Sequence, residues 1–127
     1  VKSGVHTANP EFSSTPGVHI SMSRFSEVTY NATAQPATIG SGLVWDDVCA
    51  VLDPLNVTVV GGRFSGFGIA GYSLRGGYSW KSNLFGLTVD NIVGYELVLP
   101  NGTLTQVTAT KNLDLFFGLK VQFISST

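Results

Sequence analysis

Residues 61–80 read GGRFSGFGIAGYSLRGGYSW and hold seven of the chain's fifteen glycines. Within them, GFGIAG at 66–71 has the G-x-G-x-x-G spacing that, between a strand and a helix, wraps a dinucleotide pyrophosphate. VTVV at 57–60 offers a strand before it, and Asp90 lies about 20 positions on, where such a fold holds a ribose. The helix is what fails. After Gly71 comes YSLRGGYSW, in which Gly76 and Gly77 would each cost about 1 kcal/mol in a helix interior, and no apolar stripe at i, i+4 can be drawn. The stretch therefore predicts no Rossmann turn. Two uses of the glycines stay open: backbone lying flat against a planar or phosphorylated ligand, or tight turns and bulges in a β-rich domain.

Outward from this stretch, the N-terminal side reads as loop over 1–17, rich in Ser, Thr, Asn, Pro and Gly, with His6 inside it. HISMS at 19–23, Val28–Thr33 and Ala37–Gly40 predict short strands between turn residues. Leu43–Leu52 has helical periodicity, with Leu43, Val44, Val48 and Leu52 on one stripe, Ser41 as N-cap and Pro54 as stop. On the C-terminal side, Ile92–Leu99 and Thr103–Thr108 flank Pro100-Asn101-Gly102 and predict a hairpin. A short helix follows over Asn112–Leu119.

The 127 residues make one domain with one core. Seven basic and eight acidic residues give a net charge of -1 with no basic run, so the electrostatic footprint of a nucleic-acid binder is missing. No apolar run approaches the roughly 18 residues that cross a bilayer. The single Cys49 forms no disulfide framework or Cys-rich metal site within one chain, and helical spacing puts it beside Trp45 and Leu52 as a buried small hydrophobe. His6 and His19 give no metal-ligand set, which argues against a metal-dependent hydrolase. Sequons at Asn31-Ala32-Thr33, Asn56-Val57-Thr58 and Asn101-Gly102-Thr103 raise the expectation of a secreted glycoprotein. No leader is visible and residue 1 is not Met, so the chain reads as internal to a longer product.

GGYSWKSNLFGLTVDNIVGYELVLPNG at 76–102, preceded by VVGGR at 59–63 and KSGVHT at 2–7, resembles the PCMH-type FAD-binding domain of oxidases related to vanillyl-alcohol oxidase. Within that group it is similar to berberine bridge enzyme-like, FAD-linked oxidoreductases of fungal type. The resemblance covers residues 1–120, leaves 121–127 as a divergent tail, and implies an α+β fold with a mixed β-sheet and few short helices. It implies FAD as cofactor, and a chain that is part of the cofactor domain, without the substrate domain.

Residue by residue, the resemblance matches Lys2, Ser3, Gly4, Val5 and His6 to a loop, R-S-G-G-H, that wraps the FAD pyrophosphate and whose histidine can carry a covalent 8α bond to the flavin. The N–H groups of Ser3 to Thr7 would then form an anion nest. Val5 replaces the family's second glycine, and a β-branched residue is a poor substitute where φ is positive. Arg75 replaces the first glycine of L-G-G-G-Y, with two roles open: pairing with the pyrophosphate or filling the cofactor's space. Phe64 stands where bicovalent members carry a cysteine, which implies at most one covalent link. Gly71, Gly76 and Gly77 would line the cofactor. Gly86, Leu87, Asn91 and Ile92 would run beside the isoalloxazine and ribityl parts through main chain, with Asp90 either helping or capping a turn. Ser41, Gly42 and Leu43 would aim N–H groups at the cofactor from the helix start.

Trp45 and Trp80 read as packing. No catalytic base can be named: Tyr72, Tyr78 and Tyr95 are present, but nothing near them in sequence depresses a tyrosine pKa. Three functions stay open at this point. The chain is a lobe of an FAD-dependent oxidase moving a hydride from an alcohol or sugar to flavin; or a truncated lobe with weak or no FAD binding; or a β-rich binding module using Phe12, Tyr30 and Trp80. Exposed apolar surface at Leu97–Leu99, Phe116 and Phe117 predicts self-association.

Overall fold

The computed structural model describes residues 1–4 and 9–121. Val5, His6, Thr7, Ala8 and residues 122–127 lie outside the described residues. The fold is α+β, as expected. Among the described residues its strands make two antiparallel pairs: β1 (Val28–Tyr30) with β2 (Ala37–Ile39), and β3 (Gly94–Val98) with β4 (Leu104–Thr108). The helices are α1 (Trp45–Leu52), α2 (Ile69–Leu74), α3 (Ser82–Phe85) and α4 (Leu113–Val121), with 3₁₀ turns at Asp53–Leu55 and Thr88–Asn91.

α1 forms where periodicity places it but starts later than its predicted cap. Gly42 N–H donates to Phe25 O and Leu43 N–H to Gly40 O, so the chain at Ser41 is in a tight turn, and extended Val44 is the N-cap. Asp47 accepts the Val44 N–H at 3.3 Å, and the two acidic residues of the first turn, Asp46 and Asp47, sit at the positive end of the helix dipole. Pro54 does not stop the chain at once. It enters the first positions of a 3₁₀ turn, where its missing N–H costs nothing, and the turn ends on left-handed Asn56 at φ 53°.

Leu43, Trp45, Val48, Leu52 and Ile69 form the buried core, with Ile39, Val57, Val59 and Tyr72 packed on it. The inward line runs Trp45–Val48–Leu52, and Cys49, one position off it, is exposed, correcting its predicted burial. Partial desolvation, then the charges of Asp53 and Asp46, push its thiol pKa up, away from a thiolate at neutral pH.

VTVV at 57–60 forms no strand, and HISMS contributes one parallel bridge, Ser21 to Lys2. Apolar runs this short become strands only where a neighbour pairs with them. The predicted hairpin is present but wider than a two-residue Asn-Gly turn: Gly102 N–H donates to Leu99 O at 2.8 Å and Leu99 N–H to Thr103 O at 2.9 Å. Gly102 alone takes a positive φ there, +82°. α4 packs beneath this hairpin, with Phe116 buried edge-on to Tyr95 at 6.1 Å between ring centroids. Of the patch expected at the surface, Phe116 is buried, whereas Val98 and Phe117 are exposed.

Candidate functional site

The glycine stretch does open a helix, which its sequence argued against, but a six-residue one: α2 begins after Gly68 and ends at Arg75. Gly76 and Gly77 terminate it, at φ 91° and 75°. No dinucleotide turn results, because Asp90 is spent locally: its carboxylate accepts the Leu87 N–H at 2.8 Å and caps the 3₁₀ turn.

What the glycines do instead is let backbones cross. A Cβ on Gly68 would lie 2.6 Å from Gly4 Cα, so the 2–4 segment lies directly on the entrance to α2. Lys2 N–H donates to Ile20 O and Met22 N–H to Lys2 O, fixing that segment from its other edge. Ser3 Oγ donates to Ser41 O, tying it to the lead-in of α1. Val44 and Gly68 form a further bridge, with Ile69 N–H donating to Leu43 O at 3.1 Å. Gly4 and Gly68 thereby meet backbone to backbone, with Ser3 tied to Ser41, while Gly42 packs on Met22 and Phe25 and Gly71 lies further along α2.

Gly61 and Gly62 lie flat on the indole of Trp45; a Cβ at Gly61 would sit 2.5 Å from Trp45 Cε3. Tyr72 closes the other side, edge-on to that indole at 5.4 Å, and donates its hydroxyl to Gly61 O at 3.3 Å. Trp45 is thus packing, as read from sequence, whereas Trp80 is 75 % exposed. Burial raises the phenol pKa of both Tyr72 and Tyr95 above the ordinary value, so neither is a base at neutral pH.

The second group of expected residues forms a separate unit. Thr88 N–H donates to Gly77 O and Val89 N–H to Gly76 O, both at 2.9 Å, and a Cβ on Gly77 would meet Thr88 Oγ1 and Tyr72 Cε1 at 2.6 Å. Gly76 and Gly77 are therefore glycine for conformation and packing. Asn91 spends its side-chain N–H groups on Phe85 O and Leu87 O, and the N–H groups of Gly86, Leu87 and Ile92 are likewise engaged within the turn. The Gly42 and Leu43 N–H groups are engaged within the protein too. Gly71 differs from all of these. A Cβ there would meet nothing within 4 Å.

Arg75 caps the C-terminus of α2 and is exposed. Sequence reasoning passed over its neighbour in kind, Arg63, whose guanidinium stands 4.9 Å from the Tyr78 ring centroid, 5.2 Å from Trp80 and 5.6 Å from Phe64. The aromatics at 64, 67, 72, 78 and 80 following Arg63 were the available signal. Lys81 Nζ donates to Thr58 Oγ1 beside a shallow cavity of about 120 Å³ next to Trp45.

Asp46 was also missed. Its carboxylate accepts the Gly66 N–H at 2.7 Å, and this bond, then one from the Ser65 hydroxyl, lowers its pKa below the ordinary carboxylate value. A depressed folded pKa stabilises the fold fully above the unfolded value of about 3.9 and loses that contribution as pH falls through the folded value. Asp46→Ala is expected to be less stable than wild type by a constant margin above about pH 5, a margin that shrinks below about pH 4. Urea melts of both chains over that range check it; a margin independent of pH would mean that the carboxylate does not anchor the loop.

Residues 1–108 match the family model described as an FAD binding domain. The chain belongs to the FAD-binding domain family. FAD is the cofactor of that family. An FAD-linked oxidoreductase of Arthroderma benhamiae is 42% identical over 121 residues, 94% of this chain and 24% of that protein. Among solved structures, the BBE-like 1 protein of Physcomitrella patens is 37% identical, with a TM-score of 0.73 over 78% of this chain and 22% of its own. Xylooligosaccharide oxidase from Myceliophthora thermophila is 33% identical, with a TM-score of 0.74 over 78% of this chain and 21% of its own. The chain thus spans about a quarter of the length of the curated relatives it matches.

Proposed function

We propose that this chain is the flavin-binding lobe of an FAD-dependent oxidoreductase, in which residues 1–120 form the lobe and 121–127 a divergent tail. The observation that carries the reading is the crossing where Gly4 and Gly68 meet with no Cβ between them, Ser3 bonded to Ser41 O beside it, at the start of a helix whose Gly71 faces open space. Bound there, FAD supplies the acceptor for a hydride from an alcohol or sugar. The chain's own part is to hold and orient. The Ser3–Thr7 loop, with His6 as covalent anchor, takes the pyrophosphate; the segment from Gly86 to Ile92 supports the ring end through the Gly76–Gly77 turn. Neither Tyr72 nor Tyr95, both with raised pKa, serves as the substrate's base, which in this reading comes from a separate substrate-binding part.

The exposed Val98, Leu104 and Phe117 support self-association of the isolated lobe. A β-rich binding module is less well supported, since Tyr30 packs on the core. The sequons support export through the secretory pathway.

The visible spectrum of the purified chain before and after acid precipitation tests the function. Flavin absorbance is expected, staying with the pellet if His6 carries the covalent bond and passing to the supernatant if FAD is held only by contacts. A folded chain purified in the presence of FAD that retains no flavin in either fraction would overturn the proposal.

A further inference from the structure

Two of the three sequons share one local structure and the third is built otherwise. Asn31 follows β1 at the tip of the β1–β2 pair, and its Oδ1 accepts the N–H groups of Thr33 and Ala34, each at 3.0 Å. Asn101 lies at the tip of the β3–β4 hairpin, and its Oδ1 accepts the Thr103 N–H at 3.0 Å. Both are Asx turns, with the side-chain carbonyl turned in upon the backbone of the residue two positions on. The amide nitrogen is left facing away, without a partner among the described residues, and both asparagines are exposed.

Asn56 is exposed as well but is built otherwise. It sits in the left-handed conformation that ends a 3₁₀ turn, its main-chain N–H donates to Asp53 O, and no side-chain bond joins it to Thr58. The Thr58 hydroxyl is occupied by Lys81 Nζ. In a sequon the hydroxyl two positions on takes part in acceptor recognition, and here its oxygen already accepts from Lys81 Nζ.

From this contrast we infer that Asn31 and Asn101 are N-glycan acceptors, and that Asn56 stays unmodified. In the transfer, an isoprenoid diphosphate-linked oligosaccharide is the donor. A bond forms from the asparagine Nδ2 to the sugar C1, the bond from C1 to the diphosphate oxygen breaks, and the amide proton passes to a base of the transferase. Both acceptors are at hairpin tips, so glycans there project into solvent and leave the Gly4–Gly68 junction bare.

The inference rests on entry into the secretory pathway, and the experiment supplies that entry so that the two questions separate. The chain is expressed in yeast behind a leader peptide. Secreted and lumenal material are both digested with peptide N-glycosidase in heavy-oxygen water and mapped by mass spectrometry. Isotope-tagged aspartate is expected at 31 and 101 in most molecules, with native asparagine at 56. Thr33→Ala and Thr103→Ala should each remove one glycan, and reading the lumenal fraction keeps the outcome visible if a variant folds poorly. Tagging at 56, or an untagged 31 or 101 in lumenal chain, would overturn the inference.

Discussion

Trp45→Ala is expected to destabilise the chain by about 3–5 kcal/mol, the range for deleting a buried aromatic ring. Trp45 is 4% exposed, stands at the first position of α1, and touches both halves of the molecule's centre. One side meets Tyr72 of α2 edge-on; the Gly61–Gly62 backbone lies flat on its face. Alanine leaves a cavity that neither side can fill, because the two glycines have no side chains to swing into it. Domains of this size have about 5–15 kcal/mol in total, so the variant is expected to lose about a fifth or more of its stability. Urea denaturation followed by far-ultraviolet circular dichroism measures it. A loss below about 1 kcal/mol would mean that the indole is not the keel on which the loop rests.

The second large effect separates two glycines three positions apart. Gly71→Leu should leave the fold intact or improve it, since nothing lies within 4 Å of a Cβ there and leucine is the better helix former by up to about 1 kcal/mol. FAD affinity should nonetheless fall tenfold or more, about 1.4 kcal/mol, because the leucine side chain occupies the open face to which the proposed site assigns the cofactor. Gly68→Ala is the converse. Its φ of -68° suits any residue, but the Cβ would sit 2.6 Å from Gly4 Cα, backbone against backbone, at a cost of about 1–3 kcal/mol of folding stability. Loss of stability at Gly68 together with loss of affinity alone at Gly71 identifies which glycine shapes the fold and which faces the ligand.

The sequence made α1, the hairpin and the C-terminal helix legible, because each has a local cause: a 3.6-residue apolar stripe, a Pro-Asn-Gly turn, and an apolar run after a turn. It misplaced what depends on partners. VTVV has the composition of a strand but no paired neighbour among the described residues, and Cys49 is one position off the buried line that its spacing suggested. α2 was missed because glycine propensity argues against a helix, while tertiary contact through Ile69, Ser73 and Tyr72 sustains a short one.

For the site, the resemblance selected the segments, but composition could not say which glycine does what. Gly68 spans a crossing with a residue 64 positions away, and that pairing has no local trace. Arg63 and Asp46 went unremarked for the same reason, their partners being set by the turn at 63–66. Asp90 was left between two roles and resolves to the cap of its own turn.

The most direct test is equilibrium titration of the purified chain with FAD, read by flavin fluorescence, for wild type and Gly71→Leu in parallel, with circular dichroism to establish that both are folded. Saturable binding by wild type and at least tenfold weaker binding by the variant are predicted, which would place the cofactor against the open face of α2. No saturable binding by folded wild type, or equal binding by both, would contradict a flavin site at this junction.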